Sequence, residues 1–201
     1  MTRVRRCGDR ALLLDVDDAS GITRALRAVP VPGVLELVPG AATVLVTHGP
    51  DADVTALALA LAAVEPLPPD PTTAPTVRID VVYDGDDLHD VATMTGLSVA
   101  DVVARHQAAE YEVAFCGFAP GFAYLRGLDP ALVVPRLATP RTRVPAGSVA
   151  VADTWSAVYP RESPGGWRLL GRTDAVLWDL GRPAPALLAP GTRVRFTAVA
   201  P

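Results

Sequence analysis

The sequence predicts an α+β protein of two domains, a ferredoxin-like α/β sandwich followed by a closed β-barrel, and three observations carry that reading. Residues 1–66 alternate extended apolar runs with two short helices, the pattern of helices laid on one face of an antiparallel sheet. Residues 65–76, EPLPPDPTTAPT, hold five prolines and no periodicity, which makes 67–76 a stiff extended linker. From 77 to 201 the chain becomes short strands separated by Pro and Gly, the signature of a barrel.

Taken in order, Thr2–Cys7 and Ala11–Val16 are expected strands around a Gly8-Asp9 turn. Asp17–Val29 is an expected amphipathic helix, with Ile22, Leu26 and Val29 at i, i+4 and i+7 and Pro30 beyond it. Gly33–Val38 and Thr43–His48 are strands around Pro39-Gly40, and His48 is expected to be solvated. Asp51 or Asp53 can cap the Ala/Leu-rich helix Val54–Val64, although Leu57, Leu59 and Leu61 also alternate as in a strand. Past the linker, Val77–Tyr83 is a strand and Asp87–Thr95 a helix stopped by Gly96. Ser98 with Asp101 forms a capping box before Val99–Ala109, and Glu110–Cys116 is a strand. The barrel continues through Val144–Ala152, Ala157–Tyr159, Trp167–Arg172, Val176–Trp178 and Thr192–Ala198.

Composition excludes several chemistries. All eighteen basic residues are arginine, so there is no P-loop lysine, no Schiff-base amine and no biotin-acceptor lysine on this chain. The acidic pI near 5.3 argues against nucleic acid. No run approaches the ~20 apolar residues of a membrane span or a secretory signal, so the expectation is a cytoplasmic protein with no membrane partner. Cys7 and Cys116 lie far apart, without metal-ligand spacing, and are expected to be reduced thiols.

The chemistry concentrates in residues 117–172. This stretch carries seven arginines against three carboxylates, a local charge of +4 in a chain of −4, with six of the eleven aromatic residues. It reads as a rigid, electropositive, aromatic-lined cleft for an anionic or amide-bearing small molecule, or as a turn-rich β domain. Arg141 and Arg143, at i and i+2 of an extended segment, face one way and could clamp one anion. As site residues they would add little to folding stability. Pro145, Gly147 and Ser148 offer backbone amides and a hydroxyl for polarising a carbonyl. Glu162, Ser163, Gly165, Gly166 and Trp167 could form a wall for a planar substrate. Phe118, Pro120, Gly121, Phe122, Tyr159 and Arg172 complete the candidate lining.

The ordered string GFAPGFAYL, PR, TPRxxVPAGSV, YPxESPGGW and GRT resembles the family of the B-type subunit of 5-oxoprolinase, also called the KipI family or allophanate hydrolase subunit 1. The resemblance spans the chain and is strongest over residues 77–197. Asp153–Val158 departs from it where relatives have a Gly-Gln-Thr-Gly-Ile-like turn. It implies a cyclophilin-like barrel and a histidine at the position of His106, which stands as a substrate-binding candidate beside its reading as a solvated or packed helical residue. It also implies one part of an ATP-dependent enzyme that opens 5-oxo-L-proline to L-glutamate with a larger homologous subunit. Arg141, Arg143, Ser148 and Glu162 would then be catalytic, ATP would be shared with partner subunits, and the chain would be inactive alone. The same family includes proteins acting on urea-derived substrates and inhibitors of a sensor histidine kinase.

Overall fold

The computed structural model describes residues 2–68 and 75–200, so most of the expected linker lies outside the described residues. The chain divides into two compact units, Met1–Ala74 and Pro75–Pro201.

The first unit is a four-stranded antiparallel sheet in the order β1-β2-β4-β3, built from β1 (Arg3–Arg6), β2 (Ala11–Asp15), β3 (Val34–Pro39) and β4 (Thr43–His48). Leu12 and Leu14 of β2 and Val44 and Val46 of β4 alternate inward, as a half-buried pleat requires. They pack with Ile22 and Leu26 of α1 (Ala19–Ala28) and Leu57 and Leu61 of α2 (Val54–Ala62). Asp18 caps α1 by accepting from Gly21 N, and Asp53 caps α2 by accepting from Thr55 N and Ala56 N. Helix α2 removes the strand alternative: Leu57 and Leu61, four apart, are buried while Leu59 is exposed. Two expectations change. Val29 lies beyond the end of α1 and is exposed, and His48 is buried with Nδ1 2.9 Å from Gly49 O.

The second unit is a seven-stranded, nearly closed sheet in the order β12-β9-β10-β7-β6-β13-β5. Its strands are β5 (Thr76–Val81), β6 (Tyr111–Cys116), β7 (Ala123–Arg126), β9 (Ser148–Ala152), β10 (Trp155–Val158), β12 (Arg168–Arg172) and β13 (Arg193–Ala198). β8 (Arg141–Val144) and β11 (Ser163–Gly165), with β9 and β10 between them in the chain, form a separate two-stranded antiparallel sheet. β13 pairs parallel with β5, so the last strand closes beside the first. Helices α3 (Leu88–Thr95) and α4 (Val99–Ala108) contribute Leu88, Val91 and Val102 to the core, with Ser98 and Asp101 bonded as the capping box predicts.

The expected strand Val144–Ala152 is interrupted, because Pro145-Ala146-Gly147 makes a turn in which Gly147 takes φ +79. β7 and β11 emerge from the Gly/Pro-rich stretch without having been expected. Val176–Trp178 is no strand; it contributes only an isolated bridge from Trp178 to Ala186.

Strand β9 is buried along its whole length, because both faces of the sheet are covered. Val149 and Val151 point into the main core, while Ala150 and Ala152 lie under Phe122, Tyr159 and Trp167 in a second layer. Alternation of side chains along the strand thus divides the unit into an inner and an outer apolar layer.

Candidate functional site

The outer layer is built on small residues. Ala150, Ala152 and Ala157 leave room above β9 and β10 for Phe122, Tyr159 and Trp167, with Tyr124 and Trp155 at the margin. The rings meet edge to face: Phe122 with Tyr159 at 5.3 Å and with Trp167 at 5.7 Å. Such pairs add about 0.5–1.5 kcal/mol beyond burial. Phe122, Tyr159 and Trp167 are therefore a packed layer and not an open lining, which corrects the expected aromatic cleft. Phe118 is the exception, being 62% exposed and held at φ +67 while its ring reaches Phe122 at 5.2 Å. A bulky residue in that conformation costs on the order of 1–3 kcal/mol and is kept only where its surroundings impose it. Gly121 in the same loop seats against Trp178 and Pro160, and Pro120 is exposed.

The two-stranded β8–β11 sheet carries Arg141 opposite Gly165. Gly165 faces the Tyr159 hydroxyl so closely that a Cβ there would overlap it. Burial raises the Tyr159 pKa. Gly166 O accepts from Leu137 N, and Arg136 lies over the Trp167 ring at 5.7 Å. The structure thus brings Phe118, Phe122, Arg141, Tyr159, Gly165 and Trp167 together around the Tyr159 ring.

The arginines do not form the expected clamp. Arg141 Nη2 donates to Asp87 at 2.8 Å, whereas Arg143 Nε pairs at 2.6 Å with Glu162, both of the latter well exposed. The two guanidiniums, two residues apart, are committed to different carboxylates, and Glu162 meets Arg143 in an exposed ion pair. The positive charge of the stretch is likewise cancelled in space. Arg126 pairs with Glu112, Arg136 with Asp153, Arg168 with Asp90 and Arg172 with Asp84. Asp84, Asp87, Asp90 and Glu112 all come from outside residues 117–172.

The remaining candidates separate. Ser148 Oγ donates to Pro145 O at 2.9 Å and is buried, so it locks the turn and has no base to activate it. Pro145 is exposed at that turn, and Gly147 provides its left-handed residue. Arg172 lines a cavity of about 420 Å³ with Arg78, Asp80 and Thr173, apart from the Tyr159 cluster. Ser163 Oγ is buried without a hydrogen-bond partner.

His106 lies in the inner layer, fully buried, with Nδ1 2.8 Å from Tyr83 OH and Nε2 3.1 Å from Ser156 Oγ. Ser156 Oγ donates to Ala150 O, so Nε2 carries the ring proton and Nδ1 accepts from Tyr83. The ring stacks on Phe196 at 4.6 Å. Burial lowers its pKa to about 3, leaving a neutral imidazole with both nitrogens used inside the core. It cannot reach substrate, and its expected binding role is replaced by a structural one.

Asp87 and Arg136 were missed by reading the sequence. The available signal was the run Asp84-Gly85-Asp86-Asp87-Leu88-His89-Asp90, four acids in seven residues, which complements the arginine-rich stretch. Among the described residues no cluster of His, Cys, Asp and Glu could hold a metal ion, and no helix is long and apolar enough to cross a membrane.

The family model described as "Carboxyltransferase domain, subdomain C and D" matches residues 2–188. The chain belongs to this carboxyltransferase family. It is 42% identical over 184 residues to the B-type subunit of 5-oxoprolinase from Escherichia coli O157:H7, covering 86% of this chain and 81% of that protein. Among solved structures it superposes on TTHA0988 with a TM-score of 0.78 at 37% identity, over 99% of this chain and 41% of that one. The urea amidolyase of K. lactis shares the fold, with a TM-score of 0.76 at 19% identity over 99% of this chain and 15% of that chain. The chain thus spans under half of both structural relatives.

Proposed function

We propose that this member of the carboxyltransferase family is the B-type subunit of a 5-oxoprolinase, opening 5-oxo-L-proline to L-glutamate in dependence on ATP and on a larger homologous subunit. The 42% identity to the E. coli O157:H7 protein over most of both chains carries the reading. A lactam is a poor electrophile because its nitrogen donates into the carbonyl, and ATP supplies the means to turn the lactam oxygen into a leaving group. This chain's own groups hold the substrate: Arg141 takes an oxygen of the carboxylate or amide, and the loop amides around Gly165 face developing charge. The chain has no lysine and hence no P-loop, which favours a triphosphate held with the partner subunits and a chain inactive alone.

A partner surface fits the same reading. Phe118 and Trp178 are exposed on loops that meet at Gly121, large apolar side chains left open as at an interface. The test is a coupled ADP-release assay on the isolated chain and on the mixture with its partner subunits, with and without 5-oxo-L-proline. Substrate-dependent turnover is expected in the mixture alone. Turnover by the isolated chain would refute the shared site, and none in the mixture would favour a urea-derived substrate or a kinase-inhibitor role.

A further inference from the structure

Asp87 stands at the N-cap of α3, where an aspartate ordinarily accepts from the first amides of its own helix, yet its side chain makes no capping bond. The carboxylate reaches two other strands. Oδ2 accepts from Leu169 N of β12 at 2.7 Å, and Oδ1 from Arg141 Nη2 of β8 at 2.8 Å. The residue is 3% exposed. Its backbone is fixed to the same strand, with Asp87 N donating to Leu169 O and Gly85 N to Leu170 O, each at 3.1 Å. Gly85 lies so near β12 that a Cβ would overlap Leu169 O, Leu170 C and Gly171 N. A buried carboxylate that has given up its local helix is thus held rigidly against one arginine.

That arginine is half used. Nη2 is taken by Asp87, while Nη1 is buried without a hydrogen-bond partner among the described residues. A donor withdrawn from water with no acceptor is disfavoured, and such an atom in a folded protein calls for an explanation. Since a guanidinium is planar, fixing one edge fixes the other. The bond to Asp87 also raises the Arg141 pKa, keeping the donor charged.

We infer that Asp87 is a positioning residue: it grips Arg141 by Nη2 so that Nη1 is presented to an oxygen of a carboxylate or amide ligand. This rests on the lactam reading above and adds the residue that orients its arginine.

The experiment has two arms. In the reconstituted complex, Asp87→Asn, Arg141→Lys and the double variant are compared for 5-oxo-L-proline turnover. Each single variant should raise KM about tenfold or more with a smaller change in kcat, the loss of one charge-assisted contact. The double variant should be no worse than the worse single one, because both changes remove the same contact; additive losses would make Asp87 a scaffold residue and overturn the inference. In the second arm acetate, a minimal carboxylate, is titrated into the isotopically labelled full chain while arginine Nε–H signals are followed. The Arg141 signal should move in the wild type and stay still in Asp87→Asn, whose His106 ring signals report an intact core. An unmoved Arg141 in the wild type, or an equal shift in Asp87→Asn, would overturn the inference. Should Asp87→Asn fail to fold, Asp87→Glu, which keeps the charge but displaces the carboxylate from Arg141, carries both arms, and an unchanged KM with an unchanged Arg141 acetate response would overturn the inference. If acetate behaves as expected but the complex ignores 5-oxo-L-proline, the substrate reading falls and the positioning role stands. If the complex turns over normally in wild type and in Asp87→Asn, the positioning role falls alone.

Discussion

The two faces of the barrel-like sheet handle polar groups in opposite ways. In the inner layer His106 is bracketed by Tyr83 and Ser156, and the Ser156 hydroxyl in turn donates a hydrogen bond to Ala150 O. In the outer layer, among the described residues, Arg141 keeps a buried nitrogen and Ser163 a buried hydroxyl without a hydrogen-bond partner. Closed networks specify and rigidify a core, whereas these two groups keep unused hydrogen-bonding capacity. The contrast teaches that the inner layer satisfies its buried polar groups internally, and that on the proposal above the open donor of the outer layer is the one left for a ligand.

The largest effects should come from the inner layer. His106→Ala removes a fully buried ring stacked on Phe196 and strands the Tyr83 and Ser156 hydroxyls, so a loss of about 3–5 kcal/mol is expected from the urea midpoint. A loss under about 1 kcal/mol would place the ring outside the core. The same residue sets a pH dependence. Its folded pKa is depressed to about 3, while the unfolded chain takes up a proton near pH 6.5. Below that pH the unfolded state binds more protons, so stability is full above about 6.5 and falls as pH is lowered toward 3. Thermal melts from pH 8 to 4 should show this fall, and His106→Phe should flatten it.

The outer layer should respond next. Gly165→Ala places a methyl against the Tyr159 hydroxyl, an overpacking expected to cost about 1–3 kcal/mol and to change near-UV circular dichroism as the Tyr159–Phe122–Trp167 rings shift. An unchanged spectrum would mean that the β8–β11 pair yields freely. Arg143→Leu should matter least: its pair with Glu162 is exposed and such pairs contribute about 0–1 kcal/mol. A melting temperature within a degree or two of wild type is expected, and a large drop would restore Arg143 to the scaffold. Arg141 differs from Arg143 despite the equal spacing, because its removal leaves Asp87 charged and buried. The expectation that a site arginine adds little to stability therefore fails for Arg141→Leu, and lysine is the cleaner replacement.

Much of the fold was legible because it is local. The caps at Asp53 and Ser98, the stop at Gly96 and the alternation of β2 and β4 each need only a few neighbouring residues. β7 was hidden because Ala123–Arg126 is four residues long and surrounded by glycine, and Val144–Ala152 was read as one strand because Gly147 sits in otherwise continuous apolar sequence. The site was less legible for a long-range reason. The period-two rule places Arg141 and Arg143 on one face of an extended segment, but Arg141 is half-buried and Arg143 exposed, and their partners Asp87 and Glu162 lie 54 residues before the first and 19 after the second. The aromatic lining was misjudged because three alanines create the space that Phe122, Tyr159 and Trp167 fill, and alanine carries no signal of what will cover it.

On this account the outer layer binds substrate and the inner one only supports it. The most direct measurement of that division is 5-oxo-L-proline-dependent ADP release by the reconstituted complex carrying Arg141→Lys or Tyr83→Phe, each paired with a urea melt. Arg141→Lys should lower kcat/KM about tenfold or more with the chain still folded. Tyr83→Phe, which unpairs His106 Nδ1, should lower the stability read from the urea melt by about 1 kcal/mol and leave kcat/KM unchanged at a temperature where it is folded. Full kcat/KM in Arg141→Lys, or an equal loss in Tyr83→Phe, would contradict the assignment of the two layers.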